Sequence, residues 1–283
     1  MFLVIIVFAI IGLIFFSQRN NLKKQQTNKT KIVTTTVAIT DIFAKLNLKL
    51  AGVPSDSSSQ KVVNKYRKLP RVGNHVSINW EKLIAIKPDV VYVDSELTDE
   101  YESKLKEQKI TMKSLNFQNY ANLIKSINYL GKKYDRQKQA EKLISDIKIK
   151  SIKRTKKPKV LILMGMPGGS FLVMNSKTYL GDLVKRAGGK VVAASKSSLY
   201  TTPSTEEIEK TDPDIVIRLA HAMPKQVKAA FQTTFQQSPY NSLTAVKKHH
   251  VYDVQAPVYS PTANLKVKQA YRQIKRWLDQ VDN

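Results

Sequence analysis

Two stretches of this chain, 125 residues apart, are built alike. Asn79-Trp80-Glu81-Lys82-Leu83-Ile84-Ala85-Ile86-Lys87-Pro88-Asp89 leads into Val90-Val91-Tyr92-Val93, and Ser204-Thr205-Glu206-Glu207-Ile208-Glu209-Lys210-Thr211-Asp212-Pro213-Asp214 leads into Ile215-Val216-Ile217. Each carries Glu, six residues, Pro, Asp and a β-prone run, which predicts a short helix, a turn and a buried strand. An opening strand is expected ahead of each unit, over residues 31–37 and 159–164. A helix feeding an apolar strand twice over describes two similarly built α/β lobes better than one continuous sheet.

Between them, residues 119–157 place Leu123, Ile127, Leu130, Tyr134, Leu143, Ile144 and Ile147 at helical spacing, which predicts one long helix stopped by Pro158. Gly131 inside it costs about 1 kcal/mol relative to Ala. The expected organisation is a first lobe over 32–118, an interlobe helix over 119–157 and a second lobe over 158–283, closed by a helix over 265–281. Lobes on one stiff bridge move through small angles, and the groove between them is the natural ligand site.

Residues 1–16, MFLVIIVFAIIGLIFF, carry no polar side chain, and no A-x-A cleavage pattern follows. Residues 1–18 are read as an uncleaved membrane anchor, with a signal peptide as the alternative, and 19–31 as a basic linker. Arg19, Lys23 and Lys24 behind the span oppose export by the positive-inside rule, yet large domains cross despite such charge. The body is therefore expected outside the plasma membrane.

Composition narrows the chemistry. The absence of cysteine excludes disulfides, thiol nucleophiles, iron–sulfur clusters, Cys zinc sites and a lipidated N-terminal Cys. There is no G-x-S-x-G and no H-E-x-x-H, so no enzyme is expected. The net charge of +25 is spread along the chain without a nucleic-acid motif, so it suits an anionic envelope better than a nucleic acid. A monomer is expected.

Residues 159–192, KVLILMGMPGGSFLVMNSKTYLGDLVKRAGGKVV, with 214–224, DIVIRLAHAMP, and 250–253, HVYD, resemble the haem receptors among the class III substrate-binding proteins of ABC importers. The resemblance spans about residues 31–280. It implies two Rossmann-like lobes bridged by one helix, haem as transported ligand rather than catalytic cofactor, and an ABC permease as partner. It also implies the surface of a Gram-positive-type bacterium, with cell-surface haem-binding proteins upstream. The alternatives are a class III receptor for a ferric siderophore or a corrinoid, and a basic envelope-binding adhesion protein.

His221 follows a buried strand and precedes Met223-Pro224, which puts it at a strand's carboxyl end, where open α/β sheets hold ligands. The resemblance implies that its imidazole binds haem iron; an ordinary loop histidine is the alternative. The family's opposite Met ligand falls on Val76, and valine cannot coordinate iron. His75 beside it serves if the loop shifts by one residue, and Met166, Met223 or five-coordinate iron are the other options. The pocket is expected to include Met166, Pro167, Gly168, Gly169 and Phe171, a loop that lacks the Gly-Lys-Ser/Thr ending of a nucleotide site.

On the first lobe, Val37, Ala38 and Ile39 lie in a Thr-rich stretch before a helix expected from Asp41, whose N-terminus would take a propionate or simply be capped by threonine. Glu81 and Glu206 match the acids that the resemblance pairs with permease arginines; helix-end charge is the alternative. His249 and His250 are read as a surface turn.

Overall fold

Each Pro-Asp turn clasps the strand that opens its lobe. The Lys31 N–H donates to Asp89 Oδ2 at 2.6 Å, and the Lys159 N–H donates to Asp214 Oδ2 at 2.7 Å. The N–H groups of Asp89 and Asp214 each return a bond of 2.9 Å to the same lysine's carbonyl. Lys87 and Asp212, just before the two prolines, both take the left-handed conformation, at φ 51° and 41°, and so end the preceding helix. The ammonium groups of Lys31 and Lys159 reach the carbonyls of Ile86 and Thr211 at those helix ends, where a cation meets the negative pole. The repeat legible in the sequence is thus a repeat of hydrogen bonds.

The structure is a computed structural model that describes residues 30–57, 59–74, 77–192 and 198–282. The first lobe contains β1 (Ile32–Thr34), α1 (Val37–Lys45), α2 (Trp80–Ala85), β2 (Val90–Asp94), α3 (Thr98–Glu107) and β3 (Thr111–Leu115). Its strands are parallel in the order β1-β2-β3, with Ile32 beside Val90 and Val90 beside Thr111. Then come α4 (Tyr120–Lys133) and α5 (Gln137–Asp146).

The second lobe contains β4 (Lys159–Gly165), β5 (Phe171–Met174), α6 (Tyr179–Arg186), β6 (Lys190–Val192), β7 (Tyr200–Thr201), α7 (Thr205–Thr211), β8 (Ile215–Ala220), α8 (Pro224–Phe235), α9 (Thr244–Lys247), β9 (Val251–Gln255) and α10 (Val267–Asp282). Its sheet runs β7-β5-β4-β8-β9, with β6 also on β4; β4, β6, β8 and β9 are mutually parallel, β5 is antiparallel to β4, and β7 is antiparallel to β5. Every residue of β2 and β8 is buried, as expected of parallel strands covered on both faces. One core runs through both lobes, joining Phe43 and Tyr92 to Leu123, Val160, Ile217 and Leu278.

Two sequence expectations are corrected here. The opening strand ends at Thr34 rather than residue 37, because Thr36 accepts a bond from the Ile39 N–H and starts α1 four residues before Asp41. Residues 119–157 form two helices and not one. Asp135 sits at φ 53°, and the Arg136 N–H reaches back to the Gly131 carbonyl at 2.7 Å, a left-handed helix stop. A Cβ on Gly131 would stand 2.6 Å from that of Ala140, so the glycine is what allows α5 to cross so close to α4. From Ile147 to the start of β4 the chain runs without regular structure.

Candidate functional site

Parallel strands bring their carboxyl ends to one edge, and in the second lobe the register decides which loops meet there. Gly165 pairs with Ala220 and Ala220 with Gln255, so the hairpin 166–170 emerges next to His221, Ala222 and Met223. In the first lobe the same edge carries Thr35 and Thr36 after β1, and Ser95 and Glu96 after β2. Bonds between the lobes include Ala263 N–H to the Phe117 carbonyl at 2.7 Å and Tyr120 N–H to Asp182 Oδ2 at 3.2 Å. The Thr262 hydroxyl lies against the Asp94 carboxyl, and burial together with Glu96 and Asp94 pushes the Tyr200 phenol up. Side chains of the two lobes therefore meet across this edge.

His221 is half-buried directly after β8. Met223, at φ 47°, precedes Pro224 in the first turn of α8, so the chain turns sharply and leaves the thioether out. Its exposure of 51% makes it, with Tyr129, one of two exposed large apolar side chains among the described residues.

The glycine loop is a hairpin tip. The Met166 N–H donates to the Ser170 carbonyl at 2.8 Å and the Gly169 N–H to the Met166 carbonyl at 3.3 Å. Gly168 and Gly169 both stand at φ 89°, a region that glycine alone occupies readily, and Pro167 to Ser170 are exposed. Phe171 does not form the wall expected of it. Its ring packs 5.5 Å from Phe231 and 5.9 Å from Tyr240, on the α8 side of the sheet. Met166 is half-buried against the large core.

On the first lobe, Ile39 is 0% exposed and belongs to the core, so the cleft-side surface of α1 passes to the half-buried Val37 and Ala38. The threonines are engaged locally. Thr36 caps α1, Thr40 Oγ1 lies 2.8 Å from both the Thr36 carbonyl and Thr34 Oγ1, and Thr35 Oγ1 donates to the Tyr92 carbonyl. His75 and Val76, and the anchor and linker before residue 30, lie outside the described residues.

The chain matches the periplasmic binding protein family over residues 32–258. It belongs to that family. The high-affinity heme uptake system protein IsdE of Staphylococcus aureus (strain bovine RF122 / ET3-1) is 35% identical over 281 residues, 96% of this chain and 95% of that one. The crystal structure of S. aureus IsdE complexed with heme superposes with a TM-score of 0.80 at 36% identity, covering 88% of this chain and 99% of the other. An ABC transporter substrate-binding protein from Listeria monocytogenes EGD-e gives 0.79 at 36% identity, covering 90% and 99%.

Family membership makes this a substrate-binding protein of the α/β periplasmic-binding-protein fold, class III, and not an enzyme. Within that frame His221, Met223 and the hairpin meet on one edge, whereas Phe171 and Ile39 turn inward. Glu81 and Glu206 each occupy the second position of their helices, exposed and without an ion pair among the described residues. Asn79 and Ser204 accept the first-turn N–H bonds, at 2.9 and 3.3 Å, so side-chain capping falls to them and not to the two acids.

His250 Nδ1 lies 3.3 Å from the Asp214 carbonyl and His249 occupies an exposed left-handed turn, both as surface-turn residues. Among the described residues no group of three His, Asp or Glu side chains is set to hold a metal ion. A cavity of about 720 Å³ lies away from this edge, between α7 and β4 to β6.

Sequence reasoning missed Asp94. It ends β2, is 3% exposed, and burial pushes its carboxyl up to about 6 against the opposing bonds from the Glu96 N–H and Thr262 hydroxyl. Its one sequence signal is a charge closing an apolar strand. Asp41, on α1, is likewise pushed up to about 6 by burial, against the pull of Lys266 and Lys45. A carboxyl that protonates more readily folded than unfolded contributes most in acid, and that contribution is lost as pH rises from about 4 through about 6. Asp94→Asn is therefore expected to raise urea stability more at pH 7.5 than at pH 4.5, by on the order of 2 kcal/mol. Equal shifts at both pH values would show that Asp94 does not titrate in this window.

Proposed function

We propose that this chain is a cell-surface haem receptor, which binds haem between its lobes and delivers it to an ABC permease. The observation that carries this reading is a half-buried His221 beside an exposed Met223 at the cleft edge. It occurs in a chain whose fold superposes on haem-bound IsdE at 36% identity. His221 holds the iron from the second lobe; Met223, the hairpin 166–170, Val37 and Ala38 flank the macrocycle. His75 is the first candidate for the opposite ligand. Residues 1–18 anchor a monomer on the outer face of a Gram-positive-type plasma membrane, where surface haem-binding proteins load it.

Titration of the full chain with ferric haem tests the reading. A Soret band that saturates at one haem per chain is expected. A chain that leaves the haem spectrum unchanged and instead binds a ferric siderophore or a corrinoid overturns it.

Glu81 and Glu206 present one acid per lobe to permease arginines, which sets the registry of docking by charge complementarity. Glu81→Lys with Glu206→Lys is expected to stop haem uptake by cells while haem affinity stays within about twofold. Normal uptake by the double variant removes both acids from the docking surface.

A further inference from the structure

Residues 147–159 carry seven Lys or Arg and no Asp or Glu. Within the run Ile147, Ile149 and Ile152 pack on the core, while Lys148, Lys150, Lys153, Lys156 and Lys157 are exposed. None of these five lysines has an ion pair among the described residues. The nearby acids are already engaged: Asp146 with Lys142 at 3.5 Å, Asp279 with Arg154 at 2.5 Å and Lys275 at 2.7 Å, and Asp182 with Arg186 at 2.9 Å.

The segment is fixed against its neighbours. The Ile152 N–H donates to the Arg186 carbonyl at 2.7 Å, and Arg154 Nε donates to the Ala187 carbonyl at 3.0 Å. Lys268 Nζ donates to the Asp146 carbonyl at 3.2 Å, which brings α10, with its exposed Arg272 and Arg276, alongside. Lys156 and Lys157 stand just ahead of β4, at the amino-terminal edge of the parallel strands, whereas His221 stands at the carboxyl edge. At about 3.3 Å per residue, a seven-residue strand separates those edges by roughly 20 Å.

We propose that this basic strip, formed by residues 148–157 and α10, docks a linear phosphate-bearing polyanion on the side of the second lobe away from the cleft. The proposal does not depend on the ligand in the cleft. A bilayer is the weaker fit. Surface-seated membrane proteins insert exposed apolar or aromatic side chains between headgroups, and the isoleucines here face inward, while Trp277 of α10 is only 8% exposed. What the strip offers is five exposed lysines without an ion pair among the described residues, on a backbone held in place, and such charge attracts a polyanion by releasing its condensed counterions.

The test uses the full chain in neutral phosphatidylcholine nanodiscs, with long-chain inorganic polyphosphate as probe at 0.1 M salt. One variant replaces Lys148, Lys150, Lys153, Lys156 and Lys157 by Gln; the control replaces the exposed Lys68, Lys106, Lys109, Lys113 and Lys225 by Gln. Polyphosphate affinity is expected to fall at least tenfold in the first and less than twofold in the control, with the salt slope flattened by about three in the first. Lys156→Glu with Lys157→Glu is expected to give a similar loss with less change to the surface. Equal losses in strip and control variants, absence of polyphosphate binding, or a loss seen only with phosphatidylglycerol vesicles each overturn the proposal.

Discussion

Replacing His221 by alanine is expected to weaken ferric haem binding by at least about 100-fold and to shift or abolish the Soret band of the complex. Loss of a partner that merely orients a metal ligand costs about 10- to 100-fold in affinity, so loss of the ligand itself costs at least as much. His221 directly follows β8, whose six residues are all buried and paired on both sides, by β4 and β9, so the imidazole is held by a rigid strand end. Met223 supplies the contrast. It is 51% exposed and offers apolar surface, so Met223→Ala is expected to lose only about tenfold in affinity, in keeping with the removal of part of one apolar contact. A His221→Ala protein with an unaltered spectrum and affinity would take the iron away from this residue and, with it, the present account of the cleft.

The features that were legible in the sequence are those that local chemistry dictates. Pro88-Asp89 and Pro213-Asp214 can be read from sequence because a proline ends the helix, and the aspartate that follows it bonds the backbone at the start of the neighbouring strand. His221 could be placed because an apolar run that stops at a polar residue marks a strand end. Where reading failed, a distant neighbour decided the outcome. The apolar spacing over 119–157 continues through Tyr134 and Leu143, and nothing local reveals that Asp135 turns left-handed so that Ala140 can rest on Gly131. Phe171 follows a glycine loop in sequence, but its ring is drawn to Phe231 in α8, 60 residues on, and to Tyr240 just beyond that helix. Ile39 faces inward because α1 starts early, which rotates the positions that look into the core. Asp94 meets the Thr262 hydroxyl and acts on the Tyr200 phenol, both from the other lobe, and only the folded chain brings them together.

Asp253→Ala is expected to destabilise the protein by about 3 kcal/mol, more than any surface substitution. Arg218 sits in β8 directly opposite Asp253 in β9, three residues before His221. Its guanidinium forks onto the carboxylate, Nε to Oδ1 at 2.8 Å and Nη2 to Oδ2 at 2.9 Å, and its plane lies 4.7 Å from the Phe235 ring centre and 5.5 Å from that of Phe231. The Arg218 side chain is only 10% exposed, so a cation left without its carboxylate has neither water nor a counter-charge to replace it. The pair itself contributes little net, because burying the Arg218 cation offsets most of its attraction to the more exposed Asp253. That asymmetry fixes the measurement. Urea denaturation should show the large loss in Asp253→Ala and a recovery to within about 1 kcal/mol of the parent when Arg218→Met is added, since a methionine satisfies the same aromatic surroundings without a charge. A single-variant loss below about 1 kcal/mol would mean that water reaches the guanidinium. In that case the β8–β9 edge that carries His221 would be looser than its bonding pattern implies.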